Sequence, residues 1–174
     1  MKNITKLSVF DFDGTLVDTP LPETGRQVYQ DKTGQEWPHK GWWGQADSLD
    51  MKVFSMPSNP SVISAYKTEK ANPQTAVIML TGRLQKLGGF VKNILDAKGL
   101  TFDGYFYNNG GSTDYAKKKT MDMLLVDFPN IQMIEMWDDR IEHIPIFQEW
   151  GNEKVNQGIL KDFKINVVVS DNHK

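Results

Sequence analysis

Asp11 and Asp13 stand on alternate residues directly after the apolar run Leu7-Ser8-Val9-Phe10, and Gly14-Thr15 follows them. In an extended chain residues i and i+2 point the same way. The two carboxylates therefore leave a strand end as neighbours, too close for both to stay ionised without a cation or a shared proton between them. Such a pair asks for a bound metal or for proton transfer. Gly14 permits backbone angles barred to other residues, and Thr15 adds a hydroxyl and an amide near any bound anion. Polar tips recur downstream: Thr81-Gly82-Arg83 after an apolar run, the lysines Lys117-Lys118-Lys119, and Asp138-Asp139-Arg140. Gly82 and the N-terminus of the helix expected after it offer backbone donors to an anion. Arg83 either reaches a substrate phosphate with its forked donors or makes a surface salt bridge.

These tips need strands to carry them. Residues 7–10, 76–80, 102–107, 131–137 and 163–169 read as strands, the fourth interrupted by Glu135. Helical spacing of apolar residues predicts helices between them: Val62 to about Ala71, Leu84 to Leu95, Met121 to Phe128, and Ile141 to Phe147. A short helix is expected from Pro20 or Pro22 to Asp31, residues 154–161 read as a polar linker, and 170–174 as a tail. Strands alternating with helices predict an α/β fold, a Rossmann-like parallel sheet flanked by helices, with the chemistry at the carboxyl ends of the strands. The chain reads as one domain, 1–174, with residues 18–59 inserted after the first strand. About forty residues of loop-like composition are too few for a separate core.

Within that insertion, Trp37, Trp42 and Trp43 lie on backbone interrupted by glycine and proline. One reading is that the indoles plug the loop onto the core. The other is that one of them lines the site mouth and stacks a base or another flat group. Both hold at once if they apply to different tryptophans. His143, four residues after Asp139, is either incidental or a partner of that acid.

With no cysteine, the chain forms no disulfide, offers no thiolate nucleophile and builds no cysteine-ligated zinc site, so oxygen-ligated hard cations are the metals to expect. No run of about 18 apolar residues and no signal-type N-terminus is seen, so a cytoplasmic protein without membrane contact is expected. A net charge of -2 argues against a general nucleic-acid coat but not against a local phosphate site.

The stretch Asp11-Phe12-Asp13-Gly14-Thr15 resembles the first motif of the haloacid dehalogenase superfamily of phosphotransferases, Asp-x-Asp-Gly-Thr after a hydrophobic strand. The resemblance implies that Asp11 is a nucleophile forming an aspartyl phosphate and that Asp13 is the general acid and base. Thr81 matches the second motif, whose hydroxyl binds a phosphoryl oxygen. The third motif is a lysine near the start of a helix, holding the phosphoryl group and the nucleophile together. Lys117, one turn before Met121 and two before Leu124, lies on the inward stripe and is the choice among the three lysines. Asp138 and Asp139 match the fourth motif. With Asp11 and the backbone carbonyl of Asp13 they would hold Mg²⁺, Asp139 directly and Asp138 through water or by holding Lys117, or in the reverse order. The superfamily places its cap where residues 18–59 lie, and a small cap implies an open site.

A narrower resemblance is to the haloacid-dehalogenase-like group of Swiss Army Knife RNA repair proteins. It rests on Asp18-Thr19-Pro20, Gly41-Trp42-Trp43, Leu80-Thr81-Gly82-Arg83 and the run from Asp138 through Arg140 to His143. It implies a Mg²⁺-dependent phosphomonoesterase acting on a nucleotide or a nucleic-acid end, with Gly82, Arg83, Trp42, Trp43 and Arg140 contacting substrate. The alternatives are a phosphatase of small metabolites such as sugar phosphates, or an idle module that binds phosphorylated ends. Dehalogenation has no use for Asp13 or for a metal.

Overall fold

The computed structural model describes residues 3–169, so the expected tail at 170–174 lies outside the described residues. Five strands, β1 (Lys6–Phe10), β2 (Thr75–Leu84), β3 (Gly104–Asn108), β4 (Met133–Asp138) and β5 (Asp162–Val167), form one parallel sheet in the order β3-β2-β1-β4-β5. Helices α1 (Pro22–Thr33), α2 (Pro60–Lys70), α3 (Gly88–Ala97), α4 (Thr113–Asp127) and α5 (Ile144–Asn156) complete an α/β, Rossmann-like fold. Strand order reverses at β1, between β2 on one side and β4 on the other, and that reversal opens a crevice at the carboxyl ends of the strands.

Alternation along the central strands sorts the core into two layers. On one face Phe10, Val77, Met79 and Trp137 pack with α2, α3 and residues of the 18–59 insertion, and Phe10 stacks on Trp137 at 4.3 Å between ring centroids. On the other face Leu7, Val9, Ile78, Leu80, Ile134 and Met136 meet α4 and α5. With both faces covered, β1, β2 and β4 read as near-continuous apolar runs, which is what a parallel sheet demands.

Several expectations require correction. β2 does not stop at Leu80 but continues to Leu84, pairing Leu84 with Asn108 of β3 across an irregularity in the register. The helix expected from Leu84 consequently starts only at Gly88, where a side chain would crowd the Tyr107 ring at 3.0 Å. Gly82 therefore has no helix N-terminus directly after it. Glu135 does not interrupt β4, because its carboxylate accepts from Lys6 at 2.8 Å and from Asn166 at 2.9 Å. The polar stretch after Lys154 begins inside α5, which runs to Asn156.

The insertion shares the core of the sheet. Trp42, Leu49, Phe54 and Met56 are buried in the same apolar cluster as Phe10. Trp42 packs on Trp37 and Phe54, donates its indole N–H to the Pro20 carbonyl at 3.2 Å, and lies against Gly25 so tightly that a Cβ there would collide with the ring. This is a plug, and a glycine in α1 exists to admit it. Trp42→Ala is expected to cost about 3–5 kcal/mol, read as a shift of the denaturation midpoint. Among the described residues no helix is long and apolar enough to cross a membrane.

Candidate active site

The ends of β1, β2 and β4 and the start of α4 surround a cavity of about 580 Å³. Asp11 lies on its floor, immediately after β1. The turn that follows is closed by the Gly14 amide donating to the Val17 carbonyl at 2.8 Å and by the Val17 amide donating to the Phe12 carbonyl at 3.2 Å. Gly14 has φ +71°, which explains glycine at that position. The turn directs the Thr15 hydroxyl back to Asp11 Oδ2, 3.1 Å away, rather than out to a ligand.

Lys117 projects from the second turn of α4 into the site. Its side chain is 2% exposed, and its ammonium donates to Asp11 Oδ1 at 2.9 Å and to Asp138 Oδ2 at 2.8 Å. Burial works against its charge, but the Asp11 and Asp138 carboxylates prevail and push its pKa above the ordinary lysine range. The neighbouring Lys118 and Lys119 are half-buried and exposed, so one lysine of the three turns inward, as helical geometry dictates. Its approach is set by a glycine: a Cβ on Gly82 would stand 2.6 Å from the Thr113 hydroxyl at the start of α4.

Asp11, Asp138 and Asp139 each bring a carboxylate oxygen within 4.8 Å of the others. Burial first, and then the Asp138 charge, hold the Asp11 carboxyl well above the usual carboxylate range, against the pull of Lys117. Three acids facing one ammonium leave negative charge uncompensated, and an all-oxygen donor set of this kind fits a hard divalent cation. Asp138 is fully buried and also accepts the Arg140 amide at 3.1 Å, whereas Asp139 lines the cavity.

Asp13 faces the same cavity, but its carboxylate is held from the other side. Arg83 grips it through Nε at 3.0 Å and Nη2 at 2.8 Å, and the Thr19 hydroxyl donates to it at 2.6 Å. The expectation that Arg83 presents a free fork to substrate phosphate is therefore corrected: although it borders the cavity, its side chain is 1% exposed and both Nη1 donors go to the Trp43 carbonyl and the Ser48 hydroxyl. It is not a surface salt bridge either. Thr81 is buried in β2 and does not line the cavity, and its hydroxyl accepts the Arg83 amide at 3.1 Å.

Around the mouth the tryptophans divide. Trp43 is 42% exposed and lines the cavity, whereas Trp42, also expected to contact substrate, belongs to the core and does not line the cavity. Arg140 reaches the rim, paired with Glu142 at 3.1 Å, and Ile141 and Leu21 supply apolar surface there. His143 is buried against Phe147, and burial, followed by the nearby Arg140 charge, lowers its pKa. Sequence reading missed Thr19, Ser48 and Thr113. Thr19 belongs to the Asp18-Thr19-Pro20 stretch, which by itself assigns it no role, and Thr113 lies just ahead of Lys117, but nothing in the sequence marks Ser48.

Comparison with known proteins identifies the family and the fold. A family model described as HAD domain family 1 in Swiss Army Knife RNA repair proteins matches residues 25–174. An uncharacterized protein of Saccharomyces cerevisiae is 24% identical over 170 aligned residues, covering 84% of this chain and 37% of the relative. Among solved structures, a Pnkp1/Rnl/Hen1 complex superposes with TM-score 0.58 and 16% identity, over 95% of this chain and 47% of that one. The HAD domain of the Legionella pneumophila effector Lem4 gives TM-score 0.58 and 12% identity, over 99% and 90% of the two chains. A HAD-superfamily hydrolase of Ehrlichia chaffeensis gives 0.56 and 17%, over 99% and 94%. The chain thus spans well under two thirds of the yeast relative and of the Pnkp1/Rnl/Hen1 chain it matches, while the HAD domains match nearly end to end. The parallel sheet, the acids at its strand ends and a family match covering most of the sequence together establish that this chain belongs to HAD domain family 1 of the Swiss Army Knife RNA repair proteins.

Proposed function

We propose that the chain is a Mg²⁺-dependent phosphomonoesterase that works through Asp11 and acts on the terminal phosphate of a nucleotide or nucleic-acid end. The observation that carries this reading is the Asp11 carboxylate on the cavity floor, with a buried ammonium 2.9 Å away and two further acids in reach of the same cation. Asp11, Asp138 and Asp139 would hold the cation together with the Asp13 carbonyl. When bound, it would neutralise phosphate charge and favour ionised Asp11.

The chain's own residues then have defined tasks. Lys117 fixes the orientation of Asp11 and offsets charge on the phosphoryl group as it transfers. An Asp11 oxygen bonds to phosphorus as the ester P–O bond breaks, and a proton carried by Asp13, which must first give up one of the bonds it accepts from Arg83 and Thr19, goes to the departing oxygen. Asp13 then takes a proton from the water that cleaves the acyl phosphate, which restores both carboxyl groups. The Thr81 hydroxyl, an acceptor toward the Arg83 amide, keeps its own O–H free to donate to a phosphoryl oxygen.

The open mouth and the exposed Trp43 indole support a flat leaving group, and the nucleic-acid reading draws on the family's RNA repair membership. Phosphate release from 3′- and 5′-phosphorylated oligonucleotides, mononucleotides and sugar phosphates, with Mg²⁺ or with chelator, tests this. Oligonucleotide or nucleotide ends should lead and chelator should abolish turnover. Turnover of sugar phosphates alone would refute the substrate reading. Trp43→Ala should raise KM for nucleotides several-fold while costing about 1–2 kcal/mol of stability, because the residue is 42% exposed but its ring also lies over the buried Arg83 guanidinium. Steady-state kinetics beside a melting curve checks both halves.

A further inference from the structure

The mechanism uses Asp13 but does not explain what holds it, and the answer lies in one side chain. Arg83 spends its donors on groups far apart in sequence: both Asp13 oxygens at 2.8 and 3.0 Å, the Trp43 carbonyl at 2.7 Å and the Ser48 hydroxyl at 2.8 Å. Its guanidinium carbon also lies 4.9 Å from the centroid of the Trp43 ring. The cation is 1% exposed, so none of these bonds is easily exchanged for water. Ser48 is itself fully buried and donates to the Gln45 carbonyl at 2.6 Å, which fixes the loop end of the clamp.

We infer that Arg83 is a positioning residue that joins leaving-group engagement at Trp43 to proton donation by Asp13, with Ser48 as its second anchor in the insertion. The inference rests on the reading of Asp13 as the general acid. Trp43 is the exposed ring at the mouth, and its backbone carbonyl and its ring both meet Arg83. Asp13 cannot turn toward a departing oxygen independently of Arg83, and Arg83 cannot move without the Trp43 loop. A leaving group stacked on Trp43 therefore sets the position of the acid, and its effect is felt in kcat as well as in KM. Lysine cannot replace this clamp, since a single ammonium lacks the planar fork that spans a carboxylate and two further acceptors.

The test uses two leaving groups that differ in their need for a proton. A nucleoside monophosphate must release an alkoxide and needs the acid, whereas p-nitrophenyl phosphate releases a stable phenolate and hardly needs it. Arg83→Lys should lower kcat on the nucleotide on the order of 10²-fold and shift the nucleotide to p-nitrophenyl ratio by tenfold or more. Ser48→Ala, which removes only one anchor, should shift the ratio in the same direction by roughly threefold to tenfold, with a melting temperature modestly below that of the wild type because a buried donor and a carbonyl lose their partner. Asp13→Asn serves as the reference for loss of the acid. If Asp13→Asn shows the selective loss but Arg83→Lys and Ser48→Ala lower both substrates equally or neither, the clamp is overturned and the mechanism stands. If Asp13→Asn itself lowers both substrates equally, the acid assignment falls and the clamp falls with it.

Discussion

Asp11→Asn is expected to lose phosphate release by at least about 10⁴-fold, the scale of removing a covalent nucleophile, while its melting temperature stays at or above the wild-type value. The two halves have one cause. Burial and the Asp138 charge hold the Asp11 carboxyl above its ordinary range, so without a cation the ionised form is a burden on the folded state. The sign follows from linkage: a folded-state pKa raised above the unfolded value gives stability that is fully present below about 3.9 and is lost as pH rises toward the folded value. Cation-free wild type should therefore lose ground to Asp11→Asn as pH rises from about 4. Mg²⁺ should stabilise the wild type more than the variant. Melting curves across pH, with and without Mg²⁺, measure all of this.

Lys117→Met is expected to do the opposite to stability. It removes the ammonium that contacts both Asp11 and Asp138 and leaves three acids with carboxylate oxygens within 4.8 Å of one another. Breaking a buried pair from one side costs about 3–5 kcal/mol, a fall in melting temperature on the order of 10 °C for a chain of this size. The raised pKa of Lys117 means that its contribution is complete below about 10.4 and is lost only as pH rises through its higher folded value. Any change in the deficit between mildly acidic and neutral pH must then come from the carboxylates, whose protonation should shrink it, and from His143, whose pKa burial and the Arg140 charge lower with a contribution from Lys117. Turnover should fall by about 10²-fold or more, since the fixed charge beside the phosphoryl group is gone. Lys118→Ala and Lys119→Ala should each stay within about 0.5 kcal/mol of wild type.

The contrast between these lysines shows what a sequence can and cannot convey. Lys117 could be singled out because helical spacing aligns it with Met121 and Leu124, a local rule. The acids at the ends of β1 and β4 were legible for a similar reason, since an apolar run that stops at a carboxylate states both the strand and its tip. Arg83 was not legible in this way. Its residue type permits a phosphate contact or an ion pair equally, and only the fold brings it to Asp13, seventy positions away. Adjacent Trp42 and Trp43 were indistinguishable by composition, and their fates divide because Gly25 and Phe54 receive one while the cavity mouth keeps the other. β2 ran past its motif because its continuation depends on pairing with Asn108, a long-range contact that local propensity does not record. Ser48 carries no motif at all and becomes significant only through the Arg83 side chain that finds it.

The central claim is that Asp11 carries the phosphoryl group. Acid-quenched single turnovers with excess enzyme, Mg²⁺ and a phosphorylated oligonucleotide, followed by peptide mass mapping, test it most directly. The account predicts one phosphoryl adduct on the peptide bearing Asp11, labile to base and absent from Asp11→Asn. Rapid phosphate release with no adduct at any quench time, or an adduct that persists in Asp11→Asn, would contradict it.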